Sequence, residues 1–316
     1  MEPSTAEWPE DDNEALSYID RSPLFSNTIG DVAPDRLNAS RVGPCGAQTE
    51  MTFPETPRVV YRQNPLAEVV AQLNFPSVLK IDSESPAAFQ EAIRGEYPFY
   101  ELVSSGPQLP PNLPSQMANF VQFLTRGAKG PPKHQFATQN KTWQVTLTRE
   151  TIELKTKAYI RWEDFRDRLM RIRDVLDNEY RPAAFVRVGL RYLNLIRQDS
   201  LGMEAAPWSD LLNHFIAGEL AAPEMAGGID SVTRQLHCQT NAENCYLTLK
   251  TGIVIDDATK KKCFLIDSDF HTHKPPEDKN VFNTLNTFNR IAGGFFRWCI
   301  RERLHEALGP GPVDER

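Results

Sequence analysis

The chain has 316 residues, 40% of them hydrophobic and 24% charged, with 24 prolines and a formal net charge of −7. That length supports one large domain or two modest ones with a real core, and no apolar run approaches the ~18 residues of a membrane span, so no membrane partner is expected. Five cysteines, at positions 45, 238, 245, 263 and 299, lack CxxC spacing, which argues against a disulfide framework or a zinc ribbon.

The start of the sequence, Met1-Glu2-Pro3-Ser4, lacks the basic and apolar regions of a signal peptide, so a cytoplasmic location is expected. The acidity is concentrated. Residues 1–57 hold 11 Asp or Glu against 3 Arg, and seven prolines, whereas the rest of the chain holds 32 basic and 31 acidic residues. Low hydrophobicity with net charge predicts a disordered acidic arm over 1–57. Such an arm could fold back over an Arg-bearing surface and compete with an anionic partner.

In chain order, Leu66 to Phe75 is rich in β-formers and stops at Pro76, which predicts a strand. Ser85-Pro86 places proline at a helix start, and Phe89, Ile93 and Tyr97 follow on one face of a short helix. Residues 104–116 contain four prolines and read as a loop; the apolar stretch 117–124 is ambiguous, and Pro131-Pro132 marks another break. Trp143, Val145 and Leu147 alternate with polar residues, as do Ile152 and Leu154 beyond a turn at Arg149-Glu150, predicting two strands.

Trp162 to Tyr180 predicts a helix with Phe165, Leu169, Ile172 and Leu176 inward, ended by Arg181-Pro182. A strand follows, with Val186, Val188, Leu190 and Tyr192 on one face and Arg187, Gly189 and Arg191 on the other. Next come a predicted helix over 207–221 and strands near 231–239, 245–254 and 262–271. The last helix is predicted from 280 to about 306, with Phe282, Leu285, Phe288, Ala292, Phe295, Phe296 and Cys299 as its apolar stripe.

Each half thus reads strand, helix, two or three strands, helix. The expected fold is α+β: a curved, largely antiparallel sheet with helices on one side. Its expected limits are 58–309, in halves of about 58–181 and 182–309, followed by a tail at 310–316.

Three stretches resemble a sporadically distributed bacterial family of unknown function: Asn64-Pro65-Leu66-Ala67-Glu68-Val69-Val70, Trp162-Glu163-Asp164-Phe165, and Val188-Gly189-Leu190-Arg191-Tyr192-Leu193-Asn194. An acidic strand like Ile266-Asp267-Ser268-Asp269 and a helix like the one from Asn280 belong to the same resemblance, which spans about residues 58–305. It implies a bacterial, cytoplasmic, single-module protein, accessory or defence-associated, and implies no activity or catalytic residue.

Two constellations carry candidate chemistry. Asp267, Asp269, His271 and His273 recur at alternate positions, so on a strand they would share one face; carboxylates and imidazoles together can hold Zn, Mn or Fe, and equally they could face solvent. Arg187 and Arg191 share a strand face and need partners if covered. Asp267 and Asp269 could supply an internal ion-pair cluster, an anionic ligand such as phosphate or nucleic acid could be held by bidentate contacts, or the face could be solvated.

Other signals are weaker. The arginines at 161, 166, 168, 171 and 173 are interleaved with acids, the pattern of helix-face pairing rather than of a phosphate track. Gly293-Gly294 reads as close helix packing. No GxSxG, Walker, GxGxxG or HExxH motif is present, so a catalytic role is not the expectation and no cofactor is predicted, a divalent metal at the Asp/His strand aside. The leading expectation is a binding or interaction module. It would present a polar sheet face centred on Arg187, Arg191, Asp267 and Asp269 to a protein or small anionic ligand, with nucleic acid weakly supported. The alternative is a metal-dependent hydrolase or nuclease using Asp267, Asp269, His271 and His273.

Overall fold

The computed structural model describes residues 56, 58–104, 132–256, 259–276 and 280–311. The expectations for the acidic arm, apart from Thr56, for the loop beyond Ser104, for the stretch 117–124 and for the tail beyond Gly311 therefore lie outside the described residues. Eleven strands are present: β1 (Val60–Tyr61), β2 (Leu66–Asn74), β3 (Phe99–Ser104), β4 (Pro132–Ala137), β5 (Trp143–Thr148), β6 (Thr151–Thr156), β7 (Arg187–Ile196), β8 (Val232–Gln239), β9 (Tyr246–Ile255), β10 (Lys262–His271) and β11 (Pro310–Gly311). The helices are α1 (Lys80–Ser83), α2 (Ala87–Ile93), α3 (Trp162–Tyr180), α4 (Trp208–Leu211), α5 (His214–Ala217), α6 (Pro223–Ala226), α7 (Val281–Cys299) and α8 (Glu302–Ala307).

Nine strands form one open antiparallel sheet in the order β3-β4-β5-β6-β2-β7-β10-β9-β8, and β1 pairs with β11. The order has an internal symmetry. β2 and β7 lie side by side at the centre; β6 closes back onto β2, and β10 closes back onto β7. Each of the meanders β4-β5-β6 and β8-β9-β10 leads away from its own central strand, and β3 adds an edge on one side. The fold is α+β with its helices on one side of the sheet.

Period-2 alternation explains which face is covered. Val69, Ala71, Leu73, Val145, Leu147, Ile152, Leu154, Val188, Leu190, Phe264, Ile266 and Phe270 join the main core. The inward stripe of α3 is Phe165, Leu169, Ile172 and Leu176, and that of α7 is Phe282, Leu285, Phe288, Ala292, Phe295 and Cys299. The Asn280 side chain caps α7 by accepting from the Phe282 N–H at 3.2 Å. A smaller apolar cluster, Leu193, Leu195, Cys263 and Leu265, sits on the opposite face.

Three differences from the sequence expectations share a physical reason: tertiary pairing overrides local pattern. The helix expected over 207–221 is broken into α4, α5 and a 3-10 turn over 218–221, and the one expected to reach about 306 stops at Cys299. Both breaks come from one contact. Leu212 and Ile300 adopt extended backbone and pair as an isolated antiparallel bridge. Flanking it, the Asn213 N–H donates to the Cys299 carbonyl at 2.9 Å and Arg301 N–H to that of Leu211 at 2.8 Å. Strand β3 covers residues for which no element was expected, and β4 starts at the expected break, with Pro132 tolerated at a strand's first position.

Candidate functional site

The charged strand face forms where β7 and β10 pair, with Arg191 opposite Asp269 and Leu193 opposite Asp267. Arg191 reaches diagonally to Asp267, Nε to Oδ1 at 2.7 Å and Nη2 to Oδ2 at 2.8 Å. Arg187 Nη2 lies 3.6 Å from Asp269 Oδ2, and its Nη1 donates to Gln72 Oε1 at 3.4 Å. Arg191, Asp267 and Asp269 are buried. Burial opposes the charge on Arg191, but the hydrogen-bonded Asp267 outweighs it and raises the pKa. For Asp269 burial dominates and lifts the carboxyl above its ordinary range, against the pull of Arg187 and Arg191. Lys250, opposite Asp267 on β9, is pushed down by burial. The four predicted residues are thus brought together as a largely self-neutralising cluster, and the fork of Arg191 is engaged by Asp267.

His271 and His273 also meet, Nε2 to Nε2 at 3.3 Å. The two aspartates do not share a point with them. Asp267 faces Arg191, and Asp269 Oδ2 lies 3.7 Å from His271 on its Nδ1 side. Among the described residues no three His, Cys, Asp or Glu side chains converge as a ligand set. The arginines of α3 and the residue before it pair as their spacing suggests in two cases, Arg161 with Asp164 and Arg173 with Asp177, while Arg168 and Arg171 converge on Glu96.

A different place emerges on the helix side. A cavity of about 170 Å³ lies between α7, β7 and the segment leading into β2, lined among others by Arg58, Tyr61, Asn64, Tyr159, Trp162, Tyr192, Asn194, Ser268, Asn289, Arg290, Gly293 and Phe296. Its polar lining is unusual for the core face of a sheet. Tyr192, Asn194 and Ser268 are buried there, in register with apolar neighbours that pack under the helices. Tyr192 donates to Asn289 Oδ1 at 2.8 Å, Ser268 Oγ to the Tyr192 carbonyl at 3.4 Å, and Asn194 Nδ2 to the Ile266 carbonyl at 3.4 Å. The second polar atom of each asparagine amide makes no hydrogen bond among the described residues. Burial raises the pKa of Tyr192 and Tyr159, so both hydroxyls stay protonated.

Close packing does not account for Gly293. It is exposed, and a methyl group there would meet, beyond its own stretch of helix, no heavy atom of the described residues within 4 Å. A glycine inside a helix costs about 1 kcal/mol relative to alanine, and no contact among the described residues repays it here. At the rim, Arg58 pairs with Glu163 at 3.2 Å and Arg161 with Asp164 at 3.3 Å. Arg290 has no carboxylate partner among the described residues.

Sequence reasoning missed this cavity because its residues are scattered and individually ordinary. One signal was present. Stretches already prominent in the sequence supply the wall: Asn64, Pro65 and Leu66 at the start of β2, Trp162 at the start of α3, Tyr192 and Asn194 on β7, Ser268 on β10, and Asn289 and its neighbours on α7. Compared with protein-family models and with curated proteins, the chain matches none.

Proposed function

We propose that this chain is a binding module and that its ligand occupies the cavity beneath α7 rather than the charged strand face. The class proposed is a planar, hydrogen-bonding heterocycle carrying an anionic group, such as a mononucleotide. The observation that carries this reading is the polar lining of a core-side cavity, Tyr192, Asn194, Ser268 and Asn289, beside an open helical glycine. An apolar cavity of about 150 Å³ takes benzene, so about 170 Å³ suits one planar ring system. The aromatic rings of Tyr61, Tyr159 and Phe296 offer apolar walls, the asparagine amides match heterocycle edges, and Arg290 supplies a cation for the anionic group.

The charged strand face supports binding less well, because Arg191 and Asp267 already satisfy one another. The test is thermal denaturation of the full chain against nucleoside monophosphates, nucleosides and inorganic phosphate. A ligand at 100 times its Kd adds about 2.7 kcal/mol, which at about 2–4 °C per kcal/mol is a rise of about 5–11 °C. Saturable stabilisation by at least one monophosphate, larger than by its nucleoside and absent with phosphate alone, is expected. No shift with any monophosphate would overturn the proposal.

A further inference from the structure

A second site, independent of the cavity, lies where β10 ends. His271 is the last residue of that strand and His273 follows at i+2, with its backbone N–H held by Asn244 Oδ1 at 3.1 Å. Asn244 Oδ1 also accepts from the Lys274 N–H at 3.1 Å, so the turn carrying His273 is tied at two points. The Tyr246 ring stacks flat on His273, centroids 3.6 Å apart and planes 5° apart. His271 Nδ1 lies 3.2 Å from the Asp269 carbonyl oxygen, which can only accept. The proton therefore sits on Nδ1, and the His271 Nε2 lone pair points at His273 Nε2, 3.3 Å away.

This is the arrangement of a metal-ligating imidazole, whose second nitrogen donates to a carbonyl that fixes tautomer and ring orientation. Two nitrogens each about 2.05 Å from a tetrahedral ion stand about 3.3 Å apart, the separation found here. A hydrogen bond between the two Nε2 atoms needs one proton between them, and a cation can take that proton's place. We propose that His271 and His273 form a two-imidazole site for a borderline divalent cation, Zn(II), Ni(II) or Cu(II), the ions that imidazole ligands favour, with water completing the shell.

Access and charge fit the proposal. His273 is exposed, so a hydrated ion can reach the pair. The positive charge of Arg187 is countered locally by Asp269, 3.6 Å away. His237, on β8, is engaged elsewhere, with Nδ1 3.2 Å from Thr248 Oγ1 and Nε2 2.8 Å from Gln235 Nε2.

The experiment is calorimetric titration of the full, untagged chain with ZnCl2, NiCl2 and CuSO4 separately, alongside His271→Gln, His273→Gln and His237→Gln. One equivalent of at least one metal is expected to bind, with affinity falling at least tenfold in His271→Gln and in His273→Gln and less than threefold in His237→Gln. The Cu(II) electron paramagnetic resonance spectrum should show two nitrogen couplings, one of them lost in each of the first two variants. Absence of stoichiometric binding by all three metals, or unchanged affinity in both variants, would overturn the proposal. Should the buried His271→Gln variant fail to fold, the exposed His273→Gln variant carries the decision.

Discussion

Replacing Arg191 by leucine removes one member of a bidentate pair and leaves its partner stranded. Both hydrogen bonds, at 2.7 and 2.8 Å, end on Asp267, whose residue is only 4% exposed. A buried carboxylate that loses its counter-charge costs about 3–5 kcal/mol, or about 6–20 °C in Tm for a domain of this size. Lys250, opposite Asp267 on β9, places the result toward the lower end. The double variant Arg191→Leu/Asp267→Leu removes both charges and is expected within about 1 kcal/mol of the parent, or above it. Urea unfolding at pH 7 with unchanged m-values measures all four corners of the cycle. A single-variant loss under about 1 kcal/mol, or a double variant equal to the sum of the singles, would refute the pairing as a stability element.

Two further outcomes follow from individual groups. Gly293→Ala should raise stability by about 1 kcal/mol, seen as a Tm increase of about 2–4 °C, because helix propensity improves and the added methyl meets, beyond its own stretch of helix, none of the described residues within 4 Å; a decrease would place an unrecognised contact there. The buried imidazoles His134 and His271 both have pKa values below the ordinary 6.5, chiefly through desolvation, His271 reaching about 4. Below pH 6.5 the unfolded chain takes up protons that the fold excludes, so stability is full above that pH and is lost as the pH falls toward 4. Asp269, raised by burial, acts in the opposite sense, so the informative comparison is between the parent and His134→Gln. In chelator, the drop in urea midpoint from pH 7.5 to pH 5 should be smaller in the variant, and equal drops would count against the assignment.

How much of this was legible depended on how local each feature is. The α3 helix and β7 are written in strong periodicity, and both appear where the spacing places them, because their partners reinforce the local pattern. An ion-pair cluster joining Arg191 to Asp267 or Asp269 was one of three readings the sequence left open, beside an anionic ligand and a solvated face; the Arg191–Asp267 contact matches the first. The Leu212–Ile300 bridge could not be seen: it joins residues 88 positions apart within segments whose spacing is helical. The cavity was illegible for a related reason. Asn194 and Ser268 look like ordinary strand polar residues until β2, β7, β10 and α7 are assembled, and Gly293 looks like a packing glycine until the space beside it proves open.

The most direct measurement places the ligand. The nucleoside monophosphate that stabilises the chain most is titrated calorimetrically into the parent and into Gly293→Leu, whose side chain would project from α7 into the cavity space. With far-UV circular dichroism and Tm of the variant showing an intact fold, its Kd should rise at least tenfold over the single-site value of the parent. Equal Kd values in the two proteins would contradict binding beneath α7.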